Sequence, residues 1–296
     1  MSGLRLWFTA SRPRTLPAAS APVLVGTAAA VQASSGEIKW MTFVAALIGS
    51  IFIQIGTNLS NDYSDARRGA DTMDRLGPLR VTSAGLVAPR RVLTAAWLAF
   101  GVSILCGVYL IYEAGWVILA VGVASILAGV LYTGGPKPYG YAGFGEVFVF
   151  LFFGLVAVNG AFYVQLEELD WLPFGLSISV GLLSTAILVV NNFRDMETDR
   201  RAGKNTLAVK LGRQATRRIY LAMIGGSFLL VPLLLVLLDG PWLALLTLLA
   251  IPFAIGPTRA VTGKVDGPAL NGALAGTGVL LAAFGLFCTL GLLLAS

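Results

Sequence analysis

Long apolar stretches, separated by short polar segments, follow one another along almost the whole chain. Each approaches the roughly 20 apolar residues that an α-helix needs to cross the hydrocarbon core of a bilayer. The pattern therefore predicts an all-α, polytopic integral membrane protein with nine transmembrane helices. Their approximate positions are 14–33, 41–58, 92–112, 115–133, 144–165, 172–192, 219–238, 240–258 and 268–294.

The composition agrees with a membrane location. Hydrophobic residues make up 56% of the 296 residues, charged residues only 12%, and the mean hydropathy is +0.80. Charged residues form about 25% of a typical soluble domain. The nine stretches leave no separate soluble segment, so residues 1–296 are expected to form one transmembrane domain. The first stretch lacks a small-residue cleavage site and is interpreted as a helix, not a signal peptide.

Basic residues fall on one side of the predicted topology. The N-terminus and every second connection contain all of the 21 Lys and Arg residues except Lys39. Because Lys and Arg concentrate in cytoplasmic loops, this predicts a cytoplasmic N-terminus and an external C-terminus. The asymmetry also explains the net charge of +6 without a nucleic-acid partner. No transit segment is evident, which favours a prokaryotic inner (plasma) membrane.

Two polar cytoplasmic connections, at about 59–91 and 193–218, are much longer than the others. Their first parts read NLSNDYSDARRGAD (58–71) and NNFRDMETDRRAGK (191–204). Both contain spaced Asp residues, then Arg-Arg, then Gly, and they lie four helices apart. This similarity suggests two related halves followed by a ninth helix.

Helical spacing would place the polar residues of each segment on one face, since residues three or four apart are neighbours on a helix. The sets are Asn58 with Asp62, Asn61 with Asp65, and Asn191 with Asp195 and Asp199. Closely spaced carboxylates repel one another unless a cation lies between them. The chain has no histidine, and ligands that are all oxygen favour Mg²⁺ over zinc. Helix capping alone would not produce two matching clusters.

These residues resemble the motifs of the UbiA superfamily of intramembrane aromatic prenyltransferases. The likeness covers the whole chain and includes both Asp-rich segments, the nine-helix layout and RPRTLP (12–17). Residues 61–86, 132–154 and 191–212 most resemble the menaquinone-pathway branch, which uses 1,4-dihydroxy-2-naphthoate. The resemblance implies a UbiA-like bundle around a central cavity, where Mg²⁺ and a polyprenyl diphosphate bind and which opens to membrane lipid.

The resemblance also implies roles for individual residues. The metal ligands would be Asp62, Asp65, Asp71, Asp195 and Asp199. The substrate-binding residues would be Asn58, Asn61, Arg67, Arg68, Asn191, Asn192, Arg200, Lys204, Tyr132 and Lys137. Gly69 stands where many relatives have a third Asp, so either Asp71 or Asp74 would replace it. Many relatives have a Tyr-x-x-x-Lys element. Here Lys137 follows Tyr132 with one additional residue between them, a shift that the menaquinone branch shares.

The implied reaction transfers the polyprenyl group to 1,4-dihydroxy-2-naphthoate with loss of diphosphate and carbon dioxide, giving demethylmenaquinol. Bound Mg²⁺ and fixed cations would stabilise the leaving diphosphate, which makes Asp62, Asp65, Asp195 and Asp199 catalytic candidates. The candidates for the base that deprotonates the acceptor are Tyr63, Tyr132, Tyr139, Tyr141 and Glu146. Glu146 is the strongest of them, because an ionisable residue at the start of an apolar span is costly. Stabilisation of a helix N-terminus would also explain Glu146.

Other functions stay open at the level of sequence. The same motifs would also serve a prenyltransferase with a different acceptor, such as a hydroxybenzoate or homogentisate ring, or a chlorophyll or haem precursor. A transporter would also combine repeated halves with polar residues in the membrane. The transporter fits less well, because the acidic residues lie at one membrane face and the span centres are almost free of charge. Cys106 and Cys288 lie within predicted spans, where they resemble small apolar residues.

Overall fold

The computed structural model describes residues 3–70, 76–77 and 80–296, and every regular element in these ranges is helical. This confirms the all-α prediction. Short 3₁₀ turns at Pro13–Thr15 and Tyr139–Ala142 lie in two of the connections. The helices are α1 (Gly3–Ala10), α2 (Pro17–Ala33), α3 (Trp40–Arg67), α4 (Pro89–Ala114), α5 (Trp116–Leu131), α6 (Gly145–Leu166), α7 (Trp171–Arg201), α8 (Leu207–Leu237), α9 (Trp242–Gly263) and α10 (Gly267–Leu293).

All nine predicted apolar stretches are helical, but two of these helices are short for a membrane span. Seven helices, α3, α4 and α6 to α10, are long and apolar enough to cross a bilayer. α2 reaches that length only together with the segment before it, from which it is bent by 55°, and α5 has 16 residues. In the described ranges, length and composition therefore support seven or eight spans and do not confirm nine.

Contacts between the connections place them at two ends of the bundle. At one end, Lys39 Nζ lies 3.5 Å from Glu167 Oε1, and the Lys39 backbone N–H donates to Gln165 Oε1 at 2.8 Å. At the other end, the Asn205 backbone N–H donates to the Tyr141 carbonyl at 2.9 Å. Arg80 and Lys204 both lie within 3.2 Å of Asp65 Oδ2 at this end. The two long basic connections thus meet at one end, as the charge asymmetry predicts.

α7 lies at the centre of the bundle and is buried over most of its apolar length. Its fully buried Leu176, Val180 and Leu183 pack with Val25 of α2 and Leu281 of α10. A helix that is apolar on all sides is expected in such a position. α4 and α5 instead expose large apolar side chains outward, as lipid-facing helices do.

α3 and α7 both continue past their apolar parts. α3 ends at Arg67 and α7 at Arg201, so the Asp-rich segments are helical through Asp65 and Asp199. The loops that follow are correspondingly shorter than the predicted connections. This continuation keeps residues spaced by three or four on one helix face, which positions the site.

α6 contains a π-helical segment, Phe150–Val156, beside its contact with α7. A β-carbon added to Gly154 would lie 2.6 Å from Cα of Gly181 and 2.8 Å from the Ser177 carbonyl oxygen. Only glycine permits this approach of the two backbones. The close contact fixes α6, which forms one wall of the internal cavity.

Candidate active site

A cavity of about 340 Å³ lies inside the bundle, between the six helices α2 to α7. The ends of α3 and α7 form its polar part. α5 and α6 supply an apolar part that includes Val121, Phe152 and Val156. The predicted site residues that line the cavity are Asn58, Asn61, Asp65, Tyr132, Asn191, Asn192, Asp195, Asp199 and Lys204. The structure therefore brings both Asp-rich segments to one cavity.

Asp65 is the centre of a buried ionic cluster. Its Oδ2 lies 3.2 Å from Arg80 Nη2 and 3.1 Å from Lys204 Nζ, and its Oδ1 accepts a hydrogen bond from the Tyr141 hydroxyl at 2.8 Å. Lys204 Nζ also lies 4.7 Å from the centre of the Tyr141 ring, within the range of a cation–π contact. With Asp65 only 2% exposed, these contacts hold two cations at fixed positions at the polar end of the cavity.

A second buried cluster surrounds Asp195. The neighbouring Arg194 donates from Nε to Asp195 Oδ1 at 2.8 Å and from Nη2 to Asp195 Oδ2 at 2.6 Å. Arg194 also donates to Asn191 Oδ1 and to Asn271 Oδ1, both at 2.9 Å. This bidentate pairing orients the Asp195 carboxylate and links α7 to the start of α10.

Two further polar residues are fixed by neighbours in the cavity wall. Asn61 Oδ1 accepts from the Thr133 hydroxyl at 2.8 Å. Glu146 does not line the cavity, but Asn192, which does, donates from Nδ2 to Glu146 Oε1 at 2.9 Å. The other oxygen of Glu146 is buried and has no hydrogen-bond partner within residues 3–70, 76–77 and 80–296.

Several predicted residues lie away from the cavity. Asp62 is buried behind it, where Oδ2 accepts from the Val81 backbone N–H at 3.1 Å and Oδ1 from that of Thr82 at 3.2 Å. Asp71 and Asp74 lie outside the described residues. Four predicted substrate-binding residues are exposed and do not line the cavity: Arg67, Arg68, Arg200 and Lys137. Arg67 donates to the Tyr63 hydroxyl, and Arg68 donates to the Thr133 and Gly135 carbonyls. Arg200 pairs with Glu197.

Among the lining residues that were not predicted to bind substrate, three lie near the predicted site residues: Arg12, Arg80 and Tyr141. Arg80 comes 15 residues after Asp65, and no local pattern signals their pairing. Tyr141 resembles any tyrosine at a membrane surface. Arg12 begins the RPRTLP segment and has left-handed backbone angles (φ 54°, ψ 68°), an uncommon conformation for a residue with a β-carbon.

Aromatic rings form a row along one side of the cavity. The Tyr139 and Phe148 rings are stacked with centres 4.0 Å apart, Phe148 and Phe152 lie at 6.2 Å, and Tyr132 lies 5.5 Å from Tyr139. Burial raises the pKa of Tyr139 above its ordinary value. Its hydroxyl therefore stays protonated and donates to the Ala128 carbonyl at 2.8 Å, which argues against Tyr139 as a base.

The cavity offers oxygen atoms as metal ligands. In the part of the chain that the structure describes, no three carboxylate, thiol or imidazole groups form a ready-made metal cluster. Carboxylates of Asp65, Asp195 and Asp199 nonetheless line the same cavity as the amides of Asn61 and Asn191. These are the ligand types that Mg²⁺ prefers, so the residues present fit this ion.

Comparison with known proteins agrees with the geometry. Residues 19–269 match the UbiA prenyltransferase family. The chain is 43% identical to the 1,4-dihydroxy-2-naphthoate octaprenyltransferase of Mycobacterium leprae (95% of this chain, 94% of that one) and 44% identical to the Mycobacterium tuberculosis protein of the same name (89% of each). It resembles the solved structure of an Archaeoglobus fulgidus UbiA homolog bound to DMAPP and Mg²⁺, with a TM-score of 0.63, 15% identity and coverage of 95% and 97%. The chain therefore belongs to the UbiA prenyltransferase family.

Proposed function

We propose that the protein transfers a polyprenyl group from a polyprenyl diphosphate to 1,4-dihydroxy-2-naphthoate, releasing diphosphate and carbon dioxide and giving demethylmenaquinol for menaquinone biosynthesis. Relatives between 34% and 44% identical, from several bacteria, are named for this acceptor. The observation that carries the proposal is the convergence of the α3 and α7 acidic clusters, with their cations, on a cavity that continues into apolar space.

The diphosphate belongs at the polar end of the cavity. Lys204 and Arg80, both within 3.2 Å of Asp65, are positioned to meet its oxygens, and Arg12 adds a third cation to this end of the lining. Negative charge grows on the diphosphate as the allylic carbon–oxygen bond breaks. Cations already fixed in a buried site stabilise that charge without rearranging during the reaction.

Mg²⁺ would be held by Asp65, Asp195 and Asp199, with amide oxygens of Asn61 and Asn191 nearby. When bound, the ion neutralises the diphosphate and favours its departure. Arg194 supports this arrangement by holding the Asp195 carboxylate through two hydrogen bonds.

The prenyl chain belongs in the apolar part of the cavity, against α5 and α6. The row of Tyr132, Tyr139, Phe148 and Phe152 presents aromatic faces there, and such faces attract positive charge. These rings would therefore stabilise the allylic cation as well as bind the chain. The product, being apolar, leaves sideways into the lipid that surrounds this integral membrane protein.

Glu146 supports the reaction through Asn192. The carboxylate accepts from the Asn192 amide, which fixes the orientation of an amide that itself lines the cavity. Asn192 in turn orients the acceptor ring or the diphosphate beside it. We assign Glu146 a positioning role, and its direct action as the acceptor base is the alternative that substitution tests.

The orientation in the membrane belongs to the same proposal. A cytoplasmic N-terminus puts the polar end of the cavity at the cytoplasmic face of a prokaryotic inner membrane, since the basic connections meet at that end. Both substrates would then reach the site from the cytoplasmic side. The lipid-soluble product would join the membrane pool.

The purified protein in detergent or nanodiscs tests the proposal when it is given Mg²⁺, a polyprenyl diphosphate and 1,4-dihydroxy-2-naphthoate. Parallel reactions contain 4-hydroxybenzoate or EDTA, and mass spectrometry identifies the product. We expect prenylated product from the naphthoate alone, and none with EDTA. Product from 4-hydroxybenzoate alone would overturn the acceptor, and absence of product from both rings would overturn prenyl transfer to these aromatic acceptors.

A further inference from the structure

Asp62 and Asp65 lie one turn apart on α3 but face different surroundings. Asp65 lines the cavity and contacts two cations and Tyr141, whereas Asp62 is 2% exposed and absent from the lining. Both oxygens of Asp62 accept backbone N–H groups, from Val81 at 3.1 Å and Thr82 at 3.2 Å. A carboxylate that accepts two adjacent amides in a buried site anchors a loop strongly.

The anchored segment, residues 80–87, is compact and packs against the bundle. The Val81 carbonyl accepts from the backbone N–H groups of Leu86 and Val87, both within 3.1 Å. The Val81 and Val87 side chains are buried in an apolar cluster with Leu59 and Val92. The segment therefore has a defined position, and Asp62 supplies a polar anchor at its start.

Arg80 is the first residue of this segment and the one that enters the cavity. Its Nη2 lies 3.2 Å from Asp65 Oδ2, next to Lys204, and Arg80 lines the polar end of the cavity. Val81, whose backbone N–H donates to Asp62, thus directly follows the cavity cation Arg80 in the chain. Movement of Val81 would move the Arg80 backbone with it.

The same connection is tied to the second acidic cluster. Asn271 Nδ2 donates to the Leu76 carbonyl at 2.8 Å, and Asn271 Oδ1 accepts from Arg194, which holds Asp195. Leu76 also packs on Gly267, where an added β-carbon would lie 3.0 Å from its Cβ. Leu76 is therefore linked to Arg194 of α7 through Asn271, and the 80–87 segment is held by Asp62 of α3.

We propose that Asp62 is a positioning residue, not a metal ligand, and that it acts by holding the 80–87 segment so that Arg80 contacts the diphosphate. This replaces the metal role that the sequence motif implied for Asp62. It assigns Arg80, together with Lys204, to recognition of the substrate's phosphate oxygens. The inference deepens the proposed function and rests on polyprenyl diphosphate as the donor.

The variant Asp62→Asn tests the loop contact with the smallest change. Asparagine keeps one carbonyl oxygen but places an NH₂ group against one of the two backbone N–H donors. Hydrogen exchange should increase across 80–87, and the Kd for a polyprenyl diphosphate should rise about tenfold, as expected for loss of one charge-assisted hydrogen bond. Asp170→Asn is the matched control, because Asp170 caps α7 through the Leu172 N–H at the far end.

Metal binding separates positioning from ligation. Mn²⁺ binding, followed by electron paramagnetic resonance, should be close to wild type in Asp62→Asn and greatly weakened in Asp65→Asn. If Asp62→Asn weakens Mn²⁺ binding as much as Asp65→Asn while exchange at 80–87 stays unchanged, Asp62 is a ligand and the inference is wrong. This measurement does not depend on turnover.

A double-mutant cycle tests whether Asp62 acts through Arg80. Arg80→Ala should raise the diphosphate Kd by roughly 10- to 100-fold. Asp62→Asn added to Arg80→Ala should then have little further effect, because the cation that it positions is gone. Independent, additive effects would overturn the proposed route. Should the wild type bind the diphosphate but fail to prenylate the naphthoate, the proposed acceptor fails and these binding tests still decide the role of Asp62.

Discussion

Buried charges at the polar end of the cavity are costly for folding, and their retention indicates a functional role. Taking an ion pair out of water costs free energy that its mutual attraction often only balances. Asp65, Arg80 and Lys204 are all largely shielded, with side-chain exposures between 2% and 12%. Such a cluster is better explained by binding of a charged substrate than by stability.

Lys204 provides the first prediction about a single residue. Lys204→Met keeps most of the apolar stem and removes the ammonium group, so the KM for polyprenyl diphosphate should rise roughly 10- to 100-fold. Steady-state kinetics with each substrate varied in turn would measure this. Lys210→Met is the control, because Lys210 donates to the Ala142 carbonyl outside the cavity. An equal change in both variants would contradict a specific role for Lys204.

Glu146 gives the second prediction, since two substitutions separate positioning from proton transfer. Glu146→Gln retains a carbonyl oxygen that can accept from Asn192, so the variant should keep most of the wild-type kcat. Glu146→Leu removes the acceptor and leaves the Asn192 amide without its partner, at a cost of about 1–3 kcal/mol. Its kcat should therefore fall.

The pH profile of kcat is the readout that distinguishes the two roles of Glu146. If Glu146 takes a proton from the acceptor, Glu146→Gln should lose at least about 100-fold in kcat, and the acidic limb of the profile should disappear. Retained activity with an unchanged profile supports positioning. Thermal unfolding of both variants shows whether the leucine effect reflects stability alone.

At the scale of helices, the path of α6 depends on one glycine contact. Gly154→Ala would force a β-carbon to within 2.6 Å of Gly181 Cα, and overpacking of this kind typically costs about 1–3 kcal/mol. The unfolding midpoint should fall, and the donor KM should rise because α6 carries Phe148 and Phe152. Gly225→Ala is the control, because nothing lies within 4 Å of its added β-carbon. Equal stability of the two variants would contradict the proposed role of this contact.

Apolar patterning predicted every helix except α1, because burial in lipid depends on side-chain hydrophobicity, which is a local property. The helical spacing of Asn61 with Asp65 and of Asn191 with Asp195 was also readable, since it needs only that α3 and α7 continue. The π-helical segment in α6 was not, because it depends on how Gly154 meets Gly181 in another helix. The two-halves repeat stays a prediction.

At the scale of the whole molecule, contacts between distant segments complete the site. Tyr141 and Arg80 reach Asp65 from connections 76 and 15 residues away, and Asn271 reaches Leu76 across 195 residues. A motif search along the chain finds Asp62 and Asp65 together and treats them alike. Only the fold shows that Asp65 enters the cavity while Asp62 faces the 80–87 segment.

The arrangement of the two ends makes a final prediction about the membrane. The Lys39–Glu167 contact joins two connections at one end, and the backbone hydrogen bond from Asn205 to Tyr141 joins two at the other. In a variant with both native cysteines replaced, Glu168→Cys should react with a membrane-impermeant maleimide on intact cells. Lys137→Cys, also exposed but at the basic end, should react only after permeabilisation, because positive residues remain cytoplasmic. The reverse pattern would place the polar end of the cavity outside, away from a cytoplasmic supply of both substrates, and would contradict the proposed orientation while leaving the fold unaffected.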